Sequence, residues 1–301
     1  MEIRLLKYFL VVARELNITS VAEVLHITQP TLSRQLMDLE NEIGKNLFVR
    51  RNKKMQVING KISLTDEGIL LRKRAQDIIE LMEKTEQELK GSGNDVKGSV
   101  HIGCGETYVM SLIFEIAKRL RSDYPNISFE LFSGNEEDVT YRLDKGLIDF
   151  GLLIEPADIT KYNFIKLPKI DRWGILMPHD SPLAAKEYVE PKDLWDKPLI
   201  VSRQAFSHGR LQEWIGKSSE ELDIVAGGNL LYNPSLMVKA GMGYLFSLDN
   251  LIETTPSSGL CYRPLKPELT AYSAIVWKDY QVFSKPAQLF LQYLREEFAS
   301  L

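Results

Sequence analysis

Cysteine is scarce in this chain, and long uncharged apolar runs are missing. The 301 residues include two cysteines, Cys104 and Cys261, which lie 157 positions apart and belong to no CxxC pair or metal-type spacing. Reduced thiols, typical of a cytoplasmic protein, are therefore expected. No 18-residue stretch is free of charge, and the first residues lack the basic and apolar regions of a secretion signal. The sequence predicts a cytoplasmic chain without a membrane segment.

Motifs of the common enzyme classes are missing as well. There is no P-loop, no GxSxG elbow and no GxGxxG at the start of a helix; Gly103-Cys104-Gly105 lacks the third glycine. The histidines form no i, i+4 pair and have no neighbouring cysteine or carboxylate at a metal-ligand spacing. They are His26, His101, His179 and His208. We therefore expect no metal, no cofactor and no catalytic residues.

Charge is distributed unevenly along the chain. Hydrophobic residues make up 44% and charged residues 26%, as in a globular protein long enough for two domains. The net charge is −4, yet residues 1–65 hold ten Lys and Arg against six Asp and Glu, whereas residues 66–301 hold 27 against 35. A small basic domain in an acidic chain is the pattern expected where one domain meets phosphates.

Two helices are predicted at the start of the basic segment. A capping box of Ser20 and Glu23 is expected to begin the second, over about residues 20–25. The first has its apolar residues at helical spacing along one face. They are Leu5, Leu6, Phe9, Val12, Ala13 and Leu16.

A third helix follows after a tight turn. Thr28 is its predicted N-cap, and it runs to about Ile43, after which Gly44 can take a positive φ. Its apolar face is made of Leu32, Leu36, Leu39 and Ile43. This arrangement indicates a helix-turn-helix, although a small helical bundle with a solvated polar face has the same spacing.

The residues of this segment resemble the DNA-binding signature of LysR-type transcriptional regulators. The matching string is Ala22-x-x-Leu25-x-x-x-Gln29-Pro30-Thr31-Leu32-Ser33-x-Gln35-Leu36-x-x-Leu39-Glu40-x-x-Ile43-Gly44-x-x-Leu47-Phe48-x-Arg50, continued by Leu64-Thr65-Asp66-Glu67-Gly68. The resemblance implies an α/β fold class with three parts: an N-terminal winged helix-turn-helix, a long linker helix and a two-lobed, periplasmic-binding-protein-like effector domain.

The resemblance also implies where these parts begin and end. We expect the DNA-binding domain over residues 1–65, the linker helix and joint over 66–93 and the effector domain over 94–301. Lobe I is expected over about 94–165 and 267–301, and lobe II over about 166–266. The chain should cross between lobes near Phe164–Pro168 and Arg263–Leu269.

Helix three is expected to enter the major groove of DNA. Gln29 can pair with adenine, Arg34 with guanine, and the Thr31 methyl can touch thymine. Ser33 is a phosphate or base-edge donor by the resemblance, or its hydroxyl bonds back to the helix. The cations after the helix suit phosphate contact, or they form a solvated charge run. The predicted DNA-binding residues are Gln29, Pro30, Thr31, Ser33, Arg34, Arg50, Arg51, Lys53 and Lys54.

The wing is longer than is usual in the family. Fifteen residues separate Phe48 from Leu64. Met55-Gln56-Val57-Ile58 and Lys61-Ile62-Ser63-Leu64 flank Asn59-Gly60, the strongest short turn signal for a β-hairpin. We expect this hairpin to reach further along DNA.

A heptad pattern predicts a long helix from Asp66. Its a and d positions are Leu71, Ala75, Ile78, Met82, Thr85 and Leu89. Such a stripe is typical either of ordinary core or of a coiled coil. The resemblance implies a dimerising linker helix, and Gly91-Ser92-Gly93-Asn94 follows as a flexible joint.

Strands and helices alternate from about residue 100, which predicts a parallel α/β sheet in two lobes. Ligands of such sheets bind beyond the carboxyl ends of strands. The candidate effector-binding residues at these places are Cys104, Glu106, Thr107, Ser133, Asn135, Ser202 and Arg203. Helix starts and Arg203 favour an anionic or zwitterionic effector, while Glu106 can hold an ammonium group.

Plainer structural roles stay open for several of these residues. Asn135, Thr107 and Ser202 can simply cap their helices, while Arg203 faces water. For Cys104, a small residue at a strand end is favoured over a nucleophile or a redox sensor.

The resemblance predicts a LysR-type transcriptional regulator whose DNA binding responds to a small molecule. Expected partners are double-stranded promoter DNA with two-fold half-sites, a second copy in a homodimer or a homotetramer, and RNA polymerase if the protein activates transcription. The alternative is a cytosolic solute-binding or enzymatic α/β protein with a helical extension.

Overall fold

The computed structural model describes residues 1–51, 54–55, 61–90, 96–202, 206 and 209–298, with the backbone alone for 50, 51, 54, 55 and 90. The chain divides into two compact units, Met1–Leu89 and Lys90–Leu301. No helix within these described ranges is long and apolar enough to cross a membrane.

The first unit contains four helices and one pair of short strands among its described residues. In chain order they are α1 (Ile3–Glu15), α2 (Ile18–Val24), α3 (Gln29–Ile43), β1 (Arg50–Arg51), β2 (Lys54–Met55) and α4 (Asp66–Lys90). The predicted apolar face of α1 is confirmed, since all its members but the partly buried Leu16 lie in the core. Phe9 packs edge-on against Phe48 with ring centroids 5.6 Å apart, which links α1 to the segment after α3.

The predicted start of α2 is wrong. The helix begins at Ile18, because the Asn17 side chain accepts hydrogen bonds from the backbone N–H groups of Thr19 and Ser20 at 3.0 and 3.2 Å. Asparagine is among the best N-cap residues, so it takes the role assigned to Ser20 three positions later. The predicted capping box of Ser20 and Glu23 does not form.

The predicted ends of α3 are confirmed. Thr28 Oγ1 accepts from the Thr31 N–H at 3.3 Å, and Gly44 ends the helix with φ of 74°. One predicted core residue is wrong, because Ile43 is 36% exposed. Glu40 is buried in the last turns of this helix instead.

The described part of the wing pairs differently from the prediction. β1 and β2 are antiparallel, with Arg50 opposite Met55, and Leu64 forms an isolated bridge with Phe48. A hairpin centred on Asn59-Gly60 would place Met55 opposite Leu64. The predicted pairing of these two residues is therefore wrong. The turn itself and Lys53 lie outside the described residues.

The predicted a and d stripe of α4 is divided between a buried face and an exposed one. Ala75 and Ile79 are buried in the core of the first unit, and Leu71 packs beside them. Ile78 and Leu89, predicted on the same stripe as Ala75, are 36% and 71% exposed. The prediction of one continuous seam is therefore wrong, because α4 uses part of the heptad pattern for the core of its own chain.

The second unit is built on one long, mixed β-sheet. Its described strands are β3 (Gly98–Cys104), β4 (Ile127–Ser133), β5 (Phe150–Ile154), β6 (Tyr162–Pro178), β7 (Leu199–Ser202), β8 (Ile224–Gly228), β9 (Tyr244–Leu248), β10 (Leu260–Pro264) and β11 (Thr270–Lys278). Its described helices are α5 (Met110–Asp123), α6 (Glu136–Asp144), α7 (Arg210–Ile215), α8 (Tyr232–Lys239) and α9 (Lys285–Phe298).

The strand order divides this sheet into two lobes. In lobe I, β4, β3 and β5 are parallel, and β11 joins β5 to the first part of β6 in antiparallel fashion. In lobe II, the last part of β6 pairs with β9 and β10, and β9, β7 and β8 are parallel. Each lobe has buried apolar clusters of its own. A parallel sheet was expected, and the two strands that return between lobes make it mixed.

The crossing point between the lobes lies later in the chain than predicted. Phe164 pairs with Val276 inside lobe I, whereas Trp173 pairs with Leu248 in lobe II. One continuous strand, β6, therefore passes between the lobes at about Arg172–Trp173 rather than at Phe164–Pro168. Pro168 lies in an irregular part of the β6 and β11 pairing, where its missing N–H costs no ladder hydrogen bond.

A glycine and a tyrosine pack tightly at this crossing. The Tyr262 ring on β10 covers Gly174, and a Cβ added at Gly174 would overlap that ring. The Tyr262 hydroxyl donates a hydrogen bond to the Arg172 carbonyl at 2.8 Å. Gly174 is therefore required by a close approach between β6 and β10.

Candidate functional site

The amino-terminal end of α3 presents an exposed polar surface. Gln29, Pro30, Thr31 and Arg34 are exposed, because the helix turns its leucines toward the core. Proline fits the first turn, where its missing N–H needs no acceptor. The Thr31 hydroxyl lies 2.8 Å from that of Thr28, which orients it beside the helix start.

Two of the predicted contact residues are hydrogen-bonded to each other. The Gln29 side-chain amide donates to Ser33 Oγ at 2.9 Å, at the i, i+4 spacing of neighbours on a helix. Ser33 is half-buried, and its hydroxyl accepts from a side chain rather than from the backbone in this bond. The pair holds the Gln29 side chain along the surface of α3.

Arg34 is the exposed cation of this surface. Among the described residues it has no hydrogen-bond or ion-pair partner, and its five N–H donors can make a forked contact with guanine or phosphate. The backbone of Arg50, Arg51 and Lys54 lies on the wing strands, whereas Lys53 is outside the described residues.

A buried carboxylate anchors the wing to α3. Glu40 is only 5% exposed, and its Oε1 accepts from the backbone N–H groups of Leu47 and Phe48 at 2.7 and 3.3 Å. Glu40 is part of the sequence motif, but the spacing of the motif predicts no role for it. A glutamate among leucines on a core-facing helix is the signal that indicates such a role.

The second candidate site is a cleft between the lobes of the second unit. It holds about 620 Å³ of free space, part of it open to solvent. Its polar lining residues are Glu106, Asn135, Glu136, Glu155, Ser202 and Asn229. Its apolar lining includes Val139, Leu152, Trp173, Leu230, Leu231 and Leu248. None of these apolar residues was predicted as a contact, nor were Glu136, Glu155 and Asn229, because the chain brings them together from both lobes.

Three predicted effector contacts lie on this wall: Glu106, Asn135 and Ser202. Three more, Cys104, Thr107 and Ser133, are not among its lining residues, although they lie near it in sequence. Arg203 is outside the described residues.

Cys104 is a buried thiol at the end of β3. Burial raises its pKa, although a hydrogen bond with Ser133 acts in the opposite direction. The thiol is therefore protonated at neutral pH and is a poor nucleophile. Both cysteines are free.

Thr107 is turned away from the cleft toward a buried carboxyl group. It is 6% exposed, and its hydroxyl donates to Asp171 Oδ2 at 2.6 Å while accepting from the Val109 N–H at 2.9 Å. Thr107 was a candidate effector-binding residue, but its one O–H group is already donated to Asp171 and is not available to an effector. Burial raises the pKa of Asp171 from 3.8 to about 6.

Asn135 caps α6, which confirms the plainer of its two interpretations. Its side chain accepts from the Asp138 N–H at 2.9 Å, and the Asp138 carboxylate accepts in return from the Asn135 N–H at 3.3 Å. The same turn continues with Glu136, whose carboxylate accepts from the Asp158 N–H at 3.1 Å.

Glu106 reaches across the cleft from lobe I to lobe II. Its Oε2 accepts from the backbone N–H groups of Leu231 and Tyr232, the latter at 3.1 Å, at the start of α8. Leu231 itself offers no capping side chain. Glu106 therefore satisfies the free amides of a helix that belongs to the other lobe.

No group of three or more His, Cys, Asp or Glu side chains within the described ranges could hold a metal ion. The cleft contains carboxylates, amides and one hydroxyl. Among the described lining residues there is no histidine, cysteine or lysine that could act as base or nucleophile. This lining can contact a small molecule through hydrogen bonds and apolar surface.

Comparison with known proteins gives family matches over both units. Residues 3–69 match the bacterial regulatory helix-turn-helix proteins of the lysR family, and residues 93–299 match the LysR substrate binding domain.

Individual relatives and a solved structure agree with these matches. The HTH-type transcriptional regulator YybE of Bacillus subtilis (strain 168) is 27% identical over 300 residues, covering 99% of this chain and 100% of the relative. BsdA, an HTH-type transcriptional regulator of the same organism, is 35% identical over 211 residues, 69% of each chain. Full-length CbnR complexed with its target DNA has a TM-score of 0.73 at 17% identity, covering 98% of this chain and 99% of that one.

A helix-turn-helix with an exposed third helix, followed by a two-lobed α/β unit with a cleft, defines a DNA-binding regulator with a ligand-binding domain. The chain belongs to the LysR family of transcriptional regulators. It is a DNA-binding transcriptional regulator with an effector-binding domain and not an enzyme. The predicted family, fold class and function are confirmed, and the alternative of a solute-binding or enzymatic protein is set aside.

Proposed function

We propose that this regulator binds promoter DNA with two-fold half-sites in the cytoplasm, and that a small-molecule effector in the cleft modulates the binding. The exposed amino-terminal surface of α3 carries the proposal, and on it the guanidinium of Arg34 has no partner within the described part of the chain. If the protein activates transcription, RNA polymerase is a further partner. We assign DNA binding to residues 1–65, the linker and joint to 66–93 and effector binding to 94–301.

Arg34 is the proposed base reader, and Gln29 and Thr31 contact neighbouring base edges. Ser33 supports Gln29 through their hydrogen bond. Lys53, Lys54, Arg50 and Arg51 are proposed to contact phosphates, which contributes affinity without sequence preference.

Self-association is proposed through the exposed side of α4. Ile78, Leu81 and Leu89 are 36%, 42% and 71% exposed, and Thr85 lies between them. Since an exposed apolar stripe on a long helix needs a partner, a second copy of α4 is the proposed occupant. A two-fold dimer of this kind matches two half-sites on DNA.

A homotetramer is proposed through the two edges of the sheet. Leu131 on edge strand β4 and Phe114 on α5 are exposed at one end, and Val225 on edge strand β8 and Leu236 on α8 are exposed at the other. Edge strands with exposed apolar neighbours are suited to association between copies.

The proposal on DNA contact is tested with a promoter fragment and with random DNA in gel-shift titrations. Arg34→Ala should weaken binding to the promoter by about 1–3 kcal/mol and relax the preference at one base pair. Lys54→Ala should weaken both DNAs alike and lower the slope of log K against log salt by about one. Equal losses on promoter and random DNA for Arg34→Ala would refute its role as a base reader.

A further inference from the structure

Two segments of the chain join the lobes of the second unit. One is β6, which passes between them at Arg172–Trp173, and the other is the stretch 265–269 that leads from β10 to β11. Lobes joined by a few extended segments can rotate about them, as in hinge closure of two-lobed binding domains. The arrangement of these lobes in the free chain therefore depends on the contacts that cross the cleft.

The start of α8 has its acceptor in the opposite lobe. By contrast, α6 is capped from within its own lobe by Asn135. The N-cap residue of α8, Leu231, has no capping side chain, and its N–H and that of Tyr232 donate to the Glu106 carboxylate of lobe I. Hydrogen bonds to an ionised acceptor are stronger than those between neutral groups. The stability of this helix end is therefore tied to the closed arrangement of the lobes.

The backbone before Glu106 is packed firmly into lobe I. The Gly134 N–H donates to the Cys104 carbonyl at 3.0 Å, and a Cβ added at Gly105 would lie 3.0 Å from Ile154 Cδ1. Ile154 in turn packs against buried clusters of both lobes. Because packed backbone places the carboxylate, a rotation of lobe II away from lobe I would separate it from its amide donors.

A second polar contact joins the lobes, and it is weaker. Arg210 Nη1 on α7 lies 3.7 Å from Glu155 Oε2 in lobe I, and the two side chains are 35% and 47% exposed. Exposed ion pairs contribute little, because water and salt screen them. Of these two contacts, that of Glu106 therefore has the larger effect on the arrangement of the lobes.

We propose that Glu106 is a latch that holds the two lobes together in the free chain. Opening the cleft breaks its hydrogen bonds and leaves the first amides of α8 without their acceptor. A molecule that enters the cleft changes the lobe arrangement only as far as its differential contacts outweigh the latch. The latch is a property of the free chain, whereas its use in regulation rests on the proposed effector role of the cleft.

A distance measured between the lobes tests the latch. Nitroxide labels are attached to the full-length protein at Glu137→Cys on α6 and Glu213→Cys on α7, two exposed positions in opposite lobes. The labelled protein is diluted with unlabelled protein, so that pulsed electron resonance reports distances within one chain. A sample without the added cysteines measures labelling of the buried Cys104 and Cys261. Glu106→Ala should move part of the distance distribution to longer values.

Matched variants give a graded series. Glu106→Gln keeps an acceptor without the charge, so its change should be smaller than that of Glu106→Ala. Arg210→Gln removes the exposed ion pair and should also change the distribution less than Glu106→Ala. Glu115→Ala removes an exposed carboxylate on α5, away from the cleft lining, and should leave the distribution unchanged.

Unchanged distances in Glu106→Ala would overturn the proposal. If hydrogen exchange at the Leu231 and Tyr232 amides is then faster, Glu106 is a helix cap and not a latch. If Glu106→Ala does not fold, the Gln variant decides by the same distance. Gel shifts on the same samples separate the two proposals. Promoter binding with unchanged distances overturns the latch alone, and longer distances in a protein whose wild type does not bind the promoter overturn the proposed DNA role alone.

Discussion

Asp171 shows at the level of one residue how the fold alters an ionisable group. Its carboxyl group is 2% exposed, beside the point where β6 passes between the lobes, and it accepts the Thr107 hydroxyl. Because burial disfavours the charged form, its pKa rises to about 6. The folded protein therefore holds this proton more tightly than the unfolded chain does.

The linkage predicts a loss of stability with rising pH. Since the folded pKa lies above the unfolded one, the contribution of Asp171 to the free energy of unfolding should fall by about 2 kcal/mol as pH rises from 4 to 7. Asp171→Asn keeps an acceptor for Thr107 and should abolish this part of the pH dependence. Urea denaturation at each pH measures the free energy of unfolding, and the exposed Asp180→Asn variant is the control. If the free energy of unfolding depends on pH in the same way in wild type and Asp171→Asn, the prediction is contradicted.

At the same scale, the sequence predicts contacts between near neighbours well and contacts across the fold poorly. Thr28 and Gly44 were identified because a cap is formed within a few residues. The partners of Glu106 lie 125 and 126 positions further along the chain, and no local spacing indicates them. Glu40 was missed for a similar reason, since its amide partners belong to the segment after the helix.

At the level of the element, α4 shows that one heptad pattern can be used for two purposes. The heptad spacing predicts apolar residues along one side of the helix, but it does not say which of them the same chain covers. Ala75 faces the core of the first unit, and Ile78, three residues later, faces solvent in the single chain. Packing against the core of the first unit decides between these uses.

The exposed side of α4 gives a prediction on assembly. Ile78→Asp should place an unpaired charge in the proposed interface and convert dimers to monomers, while the fold of each chain persists because Ile78 is exposed in it. Light scattering measures the mass. Gln76→Asp, on another exposed side of α4, is the control and should keep the dimer. An unchanged mass for Ile78→Asp would place the interface elsewhere.

The sequence pattern does not predict where strand β6 begins. The sequence from Trp173 to Met177 has the apolar run that indicates a buried strand, whereas the part before it contains Pro168 and several polar residues. The structure extends the strand from Tyr162, since β11 pairs with it and the irregularity at residues 167–169 accommodates the proline. Tertiary pairing therefore decides the length of this strand.

For the whole molecule, the separation of buried clusters predicts how it unfolds. The first unit has one core, made only of residues before Leu89, and the second unit has three clusters of its own. Calorimetry should therefore show two transitions.

Glu40→Ala leaves two buried amides without their acceptor and should lower the stability of the first unit by about 2–3 kcal/mol, with the other transition unchanged. A single transition that moves as a whole would contradict this.

The contact between Gly174 and Tyr262 has a consequence for how this sequence can change over time. A side chain at position 174 cannot be added while the Tyr262 ring covers it, and a smaller residue at 262 would uncover the backbone and lose the hydrogen bond to Arg172. Each substitution alone is harmful, so descendants of this protein should keep both residues or replace both together.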